Sequence, residues 1–428
     1  MEGWTKYKIG NLCSISSSKR IFAKEYQSSG IPFFRGKEII EKQKGEHVST
    51  ELYISKSRYD EIKNKFGVPK EGDMLLTSVG TLGIPYIVKN EIFYFKDGNL
   101  TWFTDFKEIN SKFLYYWFLS PIAKNTIEAK AIGSTQKALT IDALSKFEID
   151  VPNIDTQNRI VSILSSLDDK IELNRHINEN LEQHAQALFK SWFVDFEPFK
   201  DGKFVDSELG KIPEGWQVGT FKDIIHSTLS GDWGKECKQG NHIQKVFCIR
   251  GADIPNIKRG DKGNMPTRFI IEKNFQSKAL MDGDMVIEVS GGSPTQATGR
   301  ACRISRGLLD KYNHSIVCTN FCRAIKPLSQ YSSFLYYMWE MFYNQGIMFS
   351  YENGTTGIKN LDINGLIQKE PIIIPPVEIA LEFEKITQIY YEKIQSNGVE
   401  SEMLSQLRDT LLPRLMSGKL EIKDNSYD

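Results

Sequence analysis

The sequence has no long apolar run, and its cysteines are few. No stretch approaches the roughly 20 apolar residues that a membrane helix needs. The N-terminal MEGWTKYKIG lacks the apolar core of a signal peptide. We therefore expect a soluble, cytoplasmic protein without membrane contact. The six cysteines among 428 residues are sparse and unevenly spaced, which argues against a disulfide framework.

Candidate metal ligands are equally scarce. The tightest group is His314, Cys318 and Cys322, with Cys302 upstream. A spacing of four is not that of a zinc knuckle, and the surrounding SIVCTNFCRAI alternates like a buried strand. Packed free thiols are therefore favoured over a metal site, and no metal is predicted.

The motifs of several enzyme classes are also missing. We find no NPPY-like or DPPY-like methyltransferase motif, Walker A loop, glycine-rich dinucleotide fingerprint, Gly-x-Ser-x-Gly elbow or HExxH arrangement. Asp73 and Asp284 lie in matched Gly-Asp turns, where a carboxylate commonly bonds the turn backbone. These observations predict a non-catalytic binding and scaffolding protein that needs no cofactor.

Charge balances overall but is unevenly distributed, with 54 basic and 54 acidic side chains. Residues 1–150 carry 22 basic and 18 acidic side chains, and residues 201–370 carry 21 and 18. Residues 151–200 carry 5 and 8, and residues 371–428 carry 6 and 10. Chance can produce such small differences. The alternative is two mildly basic modules that face a polyanion, with acidic segments that face something else.

The sequence contains an internal duplication, with an offset of roughly 211–223 residues between the two copies. Matched landmarks recur in the same order, among them GWTKYKIGNL (3–12) with GWQVGTFKDI (215–224), EGDMLLTSVGTLG (71–83) with DGDMVIEVSGGSP (282–294), and FLYYWF (113–118) with FLYYMW (334–339). A long helical segment follows each set. The organisation is therefore a globular module and a helix, repeated once.

Each module is predicted to be α+β. Short β-rich runs such as LLTSV and PYIV are broken by glycine and proline. FLYYWFLSPIAKNTI and FLYYMWEMFYNQGI read as helices. Their aromatic residues are assigned to the core in preference to base stacking.

Polar loops and arginines that recur in both halves are the candidate nucleic-acid contacts. Glycines allow close backbone approach, hydroxyls and amides can contact phosphates or base edges, and arginine is the commonest reader of guanine. For each loop the alternative is an ordinary surface turn, and for Arg35 and Arg250 it is a structural salt bridge. The candidates are Lys19, Arg20, Arg35, Lys37, Ser78, Thr81, Thr135, Gln136, Lys137, Arg250, Ser290, Ser293, Thr295, Gln296, Arg300, Thr355, Thr356 and Lys359.

The two helical segments carry heptad-like patterns that predict an antiparallel coiled coil. A helix of about 38 residues spans roughly 57 Å, more than one 34 Å turn of B-DNA, so the helices could act as a ruler. A dimerising coiled coil is the alternative. The predicted seam is formed by Ile160, Leu164, Leu167, Ile171, Asn174, Leu181, Leu188, Phe383, Ile386, Tyr390, Ile394, Asn397, Leu404 and Leu411.

Several segments resemble the specificity subunit of type I restriction-modification systems. They are LGKIPEGW (209–216), the module-to-helix junctions VPNIDTQNRIVSILSSLDDKIELN and IPPVEIALEFEKITQIYYEKIQSN, and the C-terminal LRDTLLPRLMSGKLEI. The resemblance covers nearly the whole chain. Gly398 and Pro413 depart from it mildly, and we expect the second helix to bend or break there.

The resemblance implies two target recognition domains, each of which reads one half of a split site in double-stranded DNA. It places them at residues 1–152 and 201–374, the first spacer helix at 153–200, and the second spacer helix with the tail at 375–428. In that family the helices hold two modification (methyltransferase) subunits, which bind S-adenosylmethionine, and restriction subunits join to make the ATP-dependent nuclease. Whether restriction subunits are present is left open. A stand-alone nucleic-acid enzyme and a coiled-coil adaptor without nucleic-acid recognition are the rival readings.

Overall fold

The computed structural model describes residues 3–45, 48, 50–133, 137–292, 296–354 and 358–420. The chain divides into two compact units. The first contains the described residues up to Glu172 and from Leu404 onward, and the second is Leu173–Met403. Each unit contains one α+β module and a section of both long helices.

The first module alternates short strands with short helices. Its strands are Trp4–Lys8 (β1), Ser14–Ser16 (β2), Ile31–Phe34 (β3), Tyr53–Ile54 (β4), Met74–Thr77 (β5), Pro85–Ile87 (β6), Tyr94–Phe95 (β7), Leu100–Thr104 (β8) and Glu148–Pro152 (β9). Its helices are Ile9–Leu12 (α1), Gly36–Lys44 (α2), Lys56–Phe66 (α3), Ser111–Leu119 (α4), Pro121–Lys130 (α5) and Ile141–Ser145 (α6).

Three sheets organise this module. Strands β1 and β9 pair antiparallel and so join the two ends of the module. A four-stranded antiparallel sheet has the order β2-β8-β5-β6, and a three-stranded sheet has the order β4-β3-β7 with β3 and β7 parallel. All four residues of β5 are buried. Met74 and Leu76 pack with Phe103 of β8 and with Phe113 and Trp117 of α4 in the main core of this module.

The second module has more strands. Its strands are Phe204–Ser207 (β10), Gly210–Pro213 (β11), Gln217–Thr220 (β12), Ile225–Ser230 (β13), His242–Ile249 (β14), Thr267–Ile271 (β15), Met285–Glu288 (β16), Ser290–Gly291 (β17), Ala301–Arg303 (β18), Ile316–Cys318 (β19), Cys322–Pro327 (β20), Glu352–Asn353 (β21), Lys359–Leu361 (β22) and Pro371–Ile374 (β23). The long helices, which follow the modules, are Ile154–Phe193 (α7) and Val377–Met416 (α13). The helices of the second module are Ile254–Lys258 (α8), Glu272–Lys278 (α9), Arg306–Lys311 (α10), Ser332–Asn344 (α11) and Ile363–Lys369 (α12).

The second module repeats the topology of the first. Strand β12 pairs with β23 as β1 pairs with β9, and the order β13-β20-β16-β18 matches β2-β8-β5-β6. The order β15-β14-β19 matches β4-β3-β7, including one parallel pair in each sheet. The second module adds the sheet β17-β22-β21 and, before β12, the hairpin β10-β11. The predicted duplicated α+β organisation is confirmed.

Two element predictions need correction. FLYYWFLSPIAKNTI forms two helices because Ser120 ends α4 and its hydroxyl caps α5 through the Ala123 N–H (3.3 Å), with Pro121 at the first helical position. SIVCTNFCRAI forms two strands, β19 and β20, which belong to different sheets.

Both long helices are continuous and pair antiparallel. In the second unit, Asn174 donates to Ser401 Oγ (3.3 Å), whereas Phe189, further along α7, makes an edge-to-face contact with Phe383, near the start of α13 (ring centroids 6.0 Å apart). In the first unit, Asp168 accepts a hydrogen bond from Arg408, near the end of α13 (2.7 Å). The expected break at Gly398 and Pro413 does not occur, since α13 runs through both positions.

Over the ranges given above, no helix has the length and apolar content that crossing a bilayer requires.

Candidate nucleic-acid interface

The turn after β5 and a later loop of the first module lie side by side. Gly80 donates its backbone N–H to the Lys137 carbonyl (3.1 Å), and Leu139 donates to the Ser78 carbonyl (2.8 Å). An isolated antiparallel bridge also joins the two segments. Two loops that the sequence presents as separate candidates therefore form one region of this module.

The second module brings its two loops together in the same way. Strand β17 pairs with β22, and the Ser290 hydroxyl donates to Asn360 Oδ1 (2.5 Å). Leu361 donates its N–H to the Val289 carbonyl (2.8 Å), in the position that Leu139 occupies in the first module. The paired loops are thus a repeated feature of the fold, whereas their sequences differ.

Arg35 and Arg250 occupy equivalent helix-capping positions. The Arg35 guanidinium donates to Glu38 (2.7 Å), and that of Arg250 donates to Asp253 (3.0 Å) and to the Asn264 carbonyl (2.7 Å). In each case the arginine N–H also donates to the same carboxylate, three residues later. Both arginines therefore make the structural salt bridge that the sequence presented as the alternative to reading guanine, while their side chains remain 35% and 39% exposed.

The electrostatics of these caps favours charged carboxylates. Burial alone would raise the pKa of Asp253, but the hydrogen bonds from Arg250 and Asn264 hold it below its ordinary value. The pKa of Glu38 is lowered in the same way by Arg35, against the opposing effect of burial. Each arginine is thus tied to an ionised partner.

The two other candidate cations of the second module, Arg300 and Lys359, are also paired within the module. Arg300 donates two hydrogen bonds to Glu288 (2.8 Å each). Lys359 contacts Glu352 (2.7 Å) and lies 5.1 Å from the centre of the Phe349 ring. Any DNA contact by these side chains must use donors left over from these pairs or must exchange partners.

The first-module candidates fall into exposed and buried groups. Arg20 pairs with Asp97 (2.7 Å), and the Lys19 ammonium lies 4.6 Å from the centre of the Phe66 ring. The side chain of Ser78 is buried at 3% exposure and lies 2.5 Å from Thr101 Oγ1, so its hydroxyl supports the turn. This placement does not support a DNA contact by Ser78.

Four further candidates have exposed side chains. They are Lys37, which pairs with Glu41 (3.5 Å), and Thr81, Lys137 and Gln296. Thr81 and Lys137 lie in the adjoining loops of the first module. Six other candidates lie outside the described residues, namely Thr135, Gln136, Ser293, Thr295, Thr355 and Thr356.

An exposed aromatic residue beside the second-module loops escaped the sequence analysis. The Phe321 carbonyl accepts hydrogen bonds from the backbone of Val289 (2.9 Å) and of Ser290 (3.1 Å). Its ring is 59% exposed. Because the surrounding residues read as one buried strand, nothing in the sequence marked this position as a turn.

The predicted helix seam is enclosed to different degrees. Ile160, Leu164, Asn174, Phe383, Ile394 and Asn397 are buried, and Leu167, Ile171, Leu181, Leu188, Ile386, Tyr390, Leu404 and Leu411 are half-buried. None of them is exposed. The sequence did not identify Phe189 and Phe193, whose rings pack in tilted or edge-to-face contacts with Phe383 and Phe334 in the core of the second unit.

A polar layer of amides interrupts this seam in the second unit. Asn397 Nδ2 donates to Asn178 Oδ1 (2.8 Å), while Asn174 Nδ2 donates to Ser401 Oγ (3.3 Å) and Glu400 (2.8 Å). With the repeat offset of 223 residues, Asn174 corresponds to Asn397 and Asn178 corresponds to Ser401. The Asn397–Asn178 contact is therefore equivalent to the Asn174–Ser401 contact. The layer is therefore pseudo-symmetric, and buried amides of this kind specify register.

The cysteine-rich strands of the second module hold packed thiols. Cys302, Cys318 and Cys322 are buried in one apolar cluster, and burial raises their thiol pKa values. His314 is exposed and lies 3.0 Å from Asp310. Within the described residues, no group of three His, Cys, Asp or Glu side chains is arranged to hold a metal ion.

Two copies of one α+β module, each with a pair of polar loops, together with paired long helices, define a duplicated binding protein. Residues 1–183 match the family model described as "Type I restriction modification DNA specificity domain". The chain is 30% identical over 443 aligned residues to the type I restriction enzyme MjaIX specificity subunit of Methanocaldococcus jannaschii, and the match covers 98% of this chain and 94% of that protein.

Two further comparisons agree. The chain is 28% identical over 366 residues to the HindI specificity subunit of Haemophilus influenzae, with 71% of this chain and 77% of that protein covered. The crystal structure of the type I S subunit from M. genitalium has the same fold, with a TM-score of 0.55 at 18% identity and coverage of 98% and 97%. The chain belongs to the family of type I restriction enzyme specificity subunits.

Proposed function

We propose that this chain selects the DNA sequence on which a type I restriction-modification complex acts. Each module reads one half of a bipartite site, through polar groups on base edges in the major groove and lysines on phosphates. The observation that carries the proposal is the recurrence of one loop pair at one structural position in both modules, with different residues in each. A shared scaffold with divergent loops suits two half-sites of different sequence.

The charge distribution supports a division of labour along the chain. The regions that contain the modules are mildly basic, whereas the regions that contain the long helices are acidic. Phosphate neutralisation drives much of DNA affinity. Because the net charge is zero, the isolated chain should bind DNA modestly, and basic partner subunits should supply the remaining affinity.

The domain roles follow from this proposal. Residues 1–152 and 201–374 are the two target recognition domains, and 153–200 and 375–428 are the spacer segments. The spacers set the interval between half-sites and dock two modification subunits, with or without restriction subunits. Methyl transfer and ATP-dependent cleavage belong to these partners, so the purified chain alone should do neither.

The test compares Arg250→Lys with Arg35→Lys in the complete complex with its modification subunits. Lysine keeps the charge but cannot form the bidentate fork of arginine. Sequencing of methylated sites should show relaxed base choice at one half-site for Arg250→Lys and at the other for Arg35→Lys.

Two other outcomes are informative. Uniform weakening across all sequences would identify a phosphate contact or a structural effect of the lost cap. An unchanged motif in both variants would refute the assignment of base reading to these arginines. If the complete complex bound no DNA duplex, the alternative of a coiled-coil adaptor without nucleic-acid recognition would replace the proposed function.

A further inference from the structure

We propose that Glu288 is a positioning residue, which fixes the relative positions of the predicted DNA-reading segments of the second module. This inference rests on the proposed function and deepens it. Glu288 is the last residue of β16 and is 6% exposed. Its backbone continues directly into the loop that carries Ser290.

Three predicted DNA-reading segments converge on this carboxylate. Arg300 donates to both of its oxygens, in a fork with two distances of 2.8 Å. A Cβ atom on Gly291 would lie 2.8 Å from Oε1, and one on Gly251, which follows Arg250, would also collide with the carboxylate. A side chain at either glycine would have to displace the Glu288 carboxylate, which packs against the two backbone segments and the guanidinium together.

The backbone reinforces the same junction. Glu288 donates its N–H to the Arg300 carbonyl (2.9 Å), and its own carbonyl accepts from Gly299 (2.8 Å). The side-chain fork therefore links two segments that are already paired through the main chain. The hydrogen bond from Arg300 to Glu288 raises the pKa of Arg300 further, although burial opposes it, so the guanidinium stays charged.

The first module lacks this device. Thr77, the last residue of β5, takes the position of Glu288 and accepts a hydrogen bond from the Ile84 N–H (2.9 Å). Its methyl group would lie 3.8 Å from a Cβ on Gly36, an ordinary contact. Loss of the Glu288 carboxylate should consequently affect one half-site and leave the other unchanged.

Strand β16 also offers a matched control. Asp284, directly before the strand, is 4% exposed and pairs with Lys326 (2.9 Å). Four residues at about 3.3 Å each place the two ion pairs roughly 13 Å apart along the strand. Asp284→Asn therefore removes a comparably buried carboxylate from the same sheet, away from the loops.

The experiment sequences methylated sites for complexes that contain wild type, Glu288→Gln, Asp284→Asn, Glu288→Gln/Arg300→Gln or Arg250→Lys. Melting temperature and subunit assembly are recorded for each. A well-made polar contact to one base contributes about tenfold discrimination or more. We expect Glu288→Gln to lose about tenfold discrimination at one or two positions of a single half-site. Asp284→Asn should keep the wild-type motif even where it lowers stability.

The double variant keeps the proposal testable if the single substitution fails to fold. It replaces the ion pair with two amides and leaves no unpaired buried charge. Arg300 is itself a candidate DNA contact, so relaxation of the same half-site in the double variant supports the proposal when Glu288→Asp, which shortens the carboxylate side chain and keeps Arg300, relaxes that half-site too. An unchanged motif in Glu288→Gln or the double variant, while Arg250→Lys relaxes that half-site, overturns the role of Glu288 and leaves the proposed function standing. An unchanged motif in every variant, Arg250→Lys included, refutes both the positioning role of Glu288 and base reading by Arg250.

Discussion

Gly398 lies inside the 40-residue helix α13, at a point where the backbone of another segment approaches too closely for a side chain. It is buried in α13, and a Cβ atom there would collide with the Gly260 carbonyl oxygen and lie 2.7 Å from its carbon. Gly260 has φ +86° and a similar constraint, since its own Cβ would lie 2.5 Å from the Ile394 carbonyl oxygen. We predict that Gly398→Ala destabilises the second unit.

The magnitude follows from three contributions. Alanine gains about 1 kcal/mol of helix propensity over glycine. Forcing the methyl group into a packed contact costs about 1–3 kcal/mol. Displacement of the Gly260 segment also strains the bonds from Asn178 to the Arg259 carbonyl (2.9 Å) and from Lys311 to the Gly260 carbonyl (3.2 Å), each worth about 1 kcal/mol. The net expectation is a loss of about 2 kcal/mol.

Urea and thermal unfolding of the full chain test this prediction. For a unit of roughly 230 residues, a loss of about 2 kcal/mol lowers Tm by about 4–8 °C. The exposed Ser396→Ala on the same helix is the control, and it should leave stability unchanged or raise it slightly. A Gly398→Ala protein as stable as wild type, or more stable, would refute the close-approach argument.

Three further predictions concern the polar layer, an acidic cap and the thiols. Asn178→Ala removes bonds to Asn397 and to two backbone carbonyls, so it should cost about 2–4 kcal/mol in urea unfolding, whereas the exposed Gln183→Ala should cost little. The pKa of Asp253 is lowered in the folded state, so its contribution is fully present above its ordinary value near 4 and is lost as pH falls through the folded pKa. The stability gap between wild type and Asp253→Asn should therefore shrink on acidification from pH 7 to pH 3, and a constant gap would contradict this assignment. Under native conditions a maleimide should label the exposed Cys237 and leave the five buried cysteines unmodified until urea is added, and rapid labelling of more than one thiol would contradict the packing.

Prediction from sequence succeeded wherever a local pattern or a repeat carried the information. The duplicated landmarks located both modules, because copies of one fold keep the residues at equivalent buried positions. Heptad spacing located the long helices, since side chains three and four apart share one helix face. It succeeded less well at SIVCTNFCRAI, where alternation alone does not show the turn at Phe321 that separates two strands.

The candidate site was only partly accessible to the same reasoning. The sequence named the loop pairs and Arg35, Arg250 and Arg300, but not the carboxylates that bind these arginines. The pairs of Arg35 and Arg250 are local, three residues apart, and the capping pattern could have indicated them. The Glu288–Arg300 pair spans a turn between antiparallel strands, and no spacing rule predicts it.

The amino-acid sequence by itself determined that the protein is a duplicated α+β chain with two long amphipathic helices, because periodicity and repetition are properties of neighbouring residues. Tertiary structure decided which of the polar groups meet. It placed the two loops of each module side by side, brought Glu288 into contact with three segments of the second module, and packed Gly398 against Gly260. These contacts join residues from about ten to well over a hundred positions apart, and only strand pairing and helix packing bring such distant groups within reach of one another.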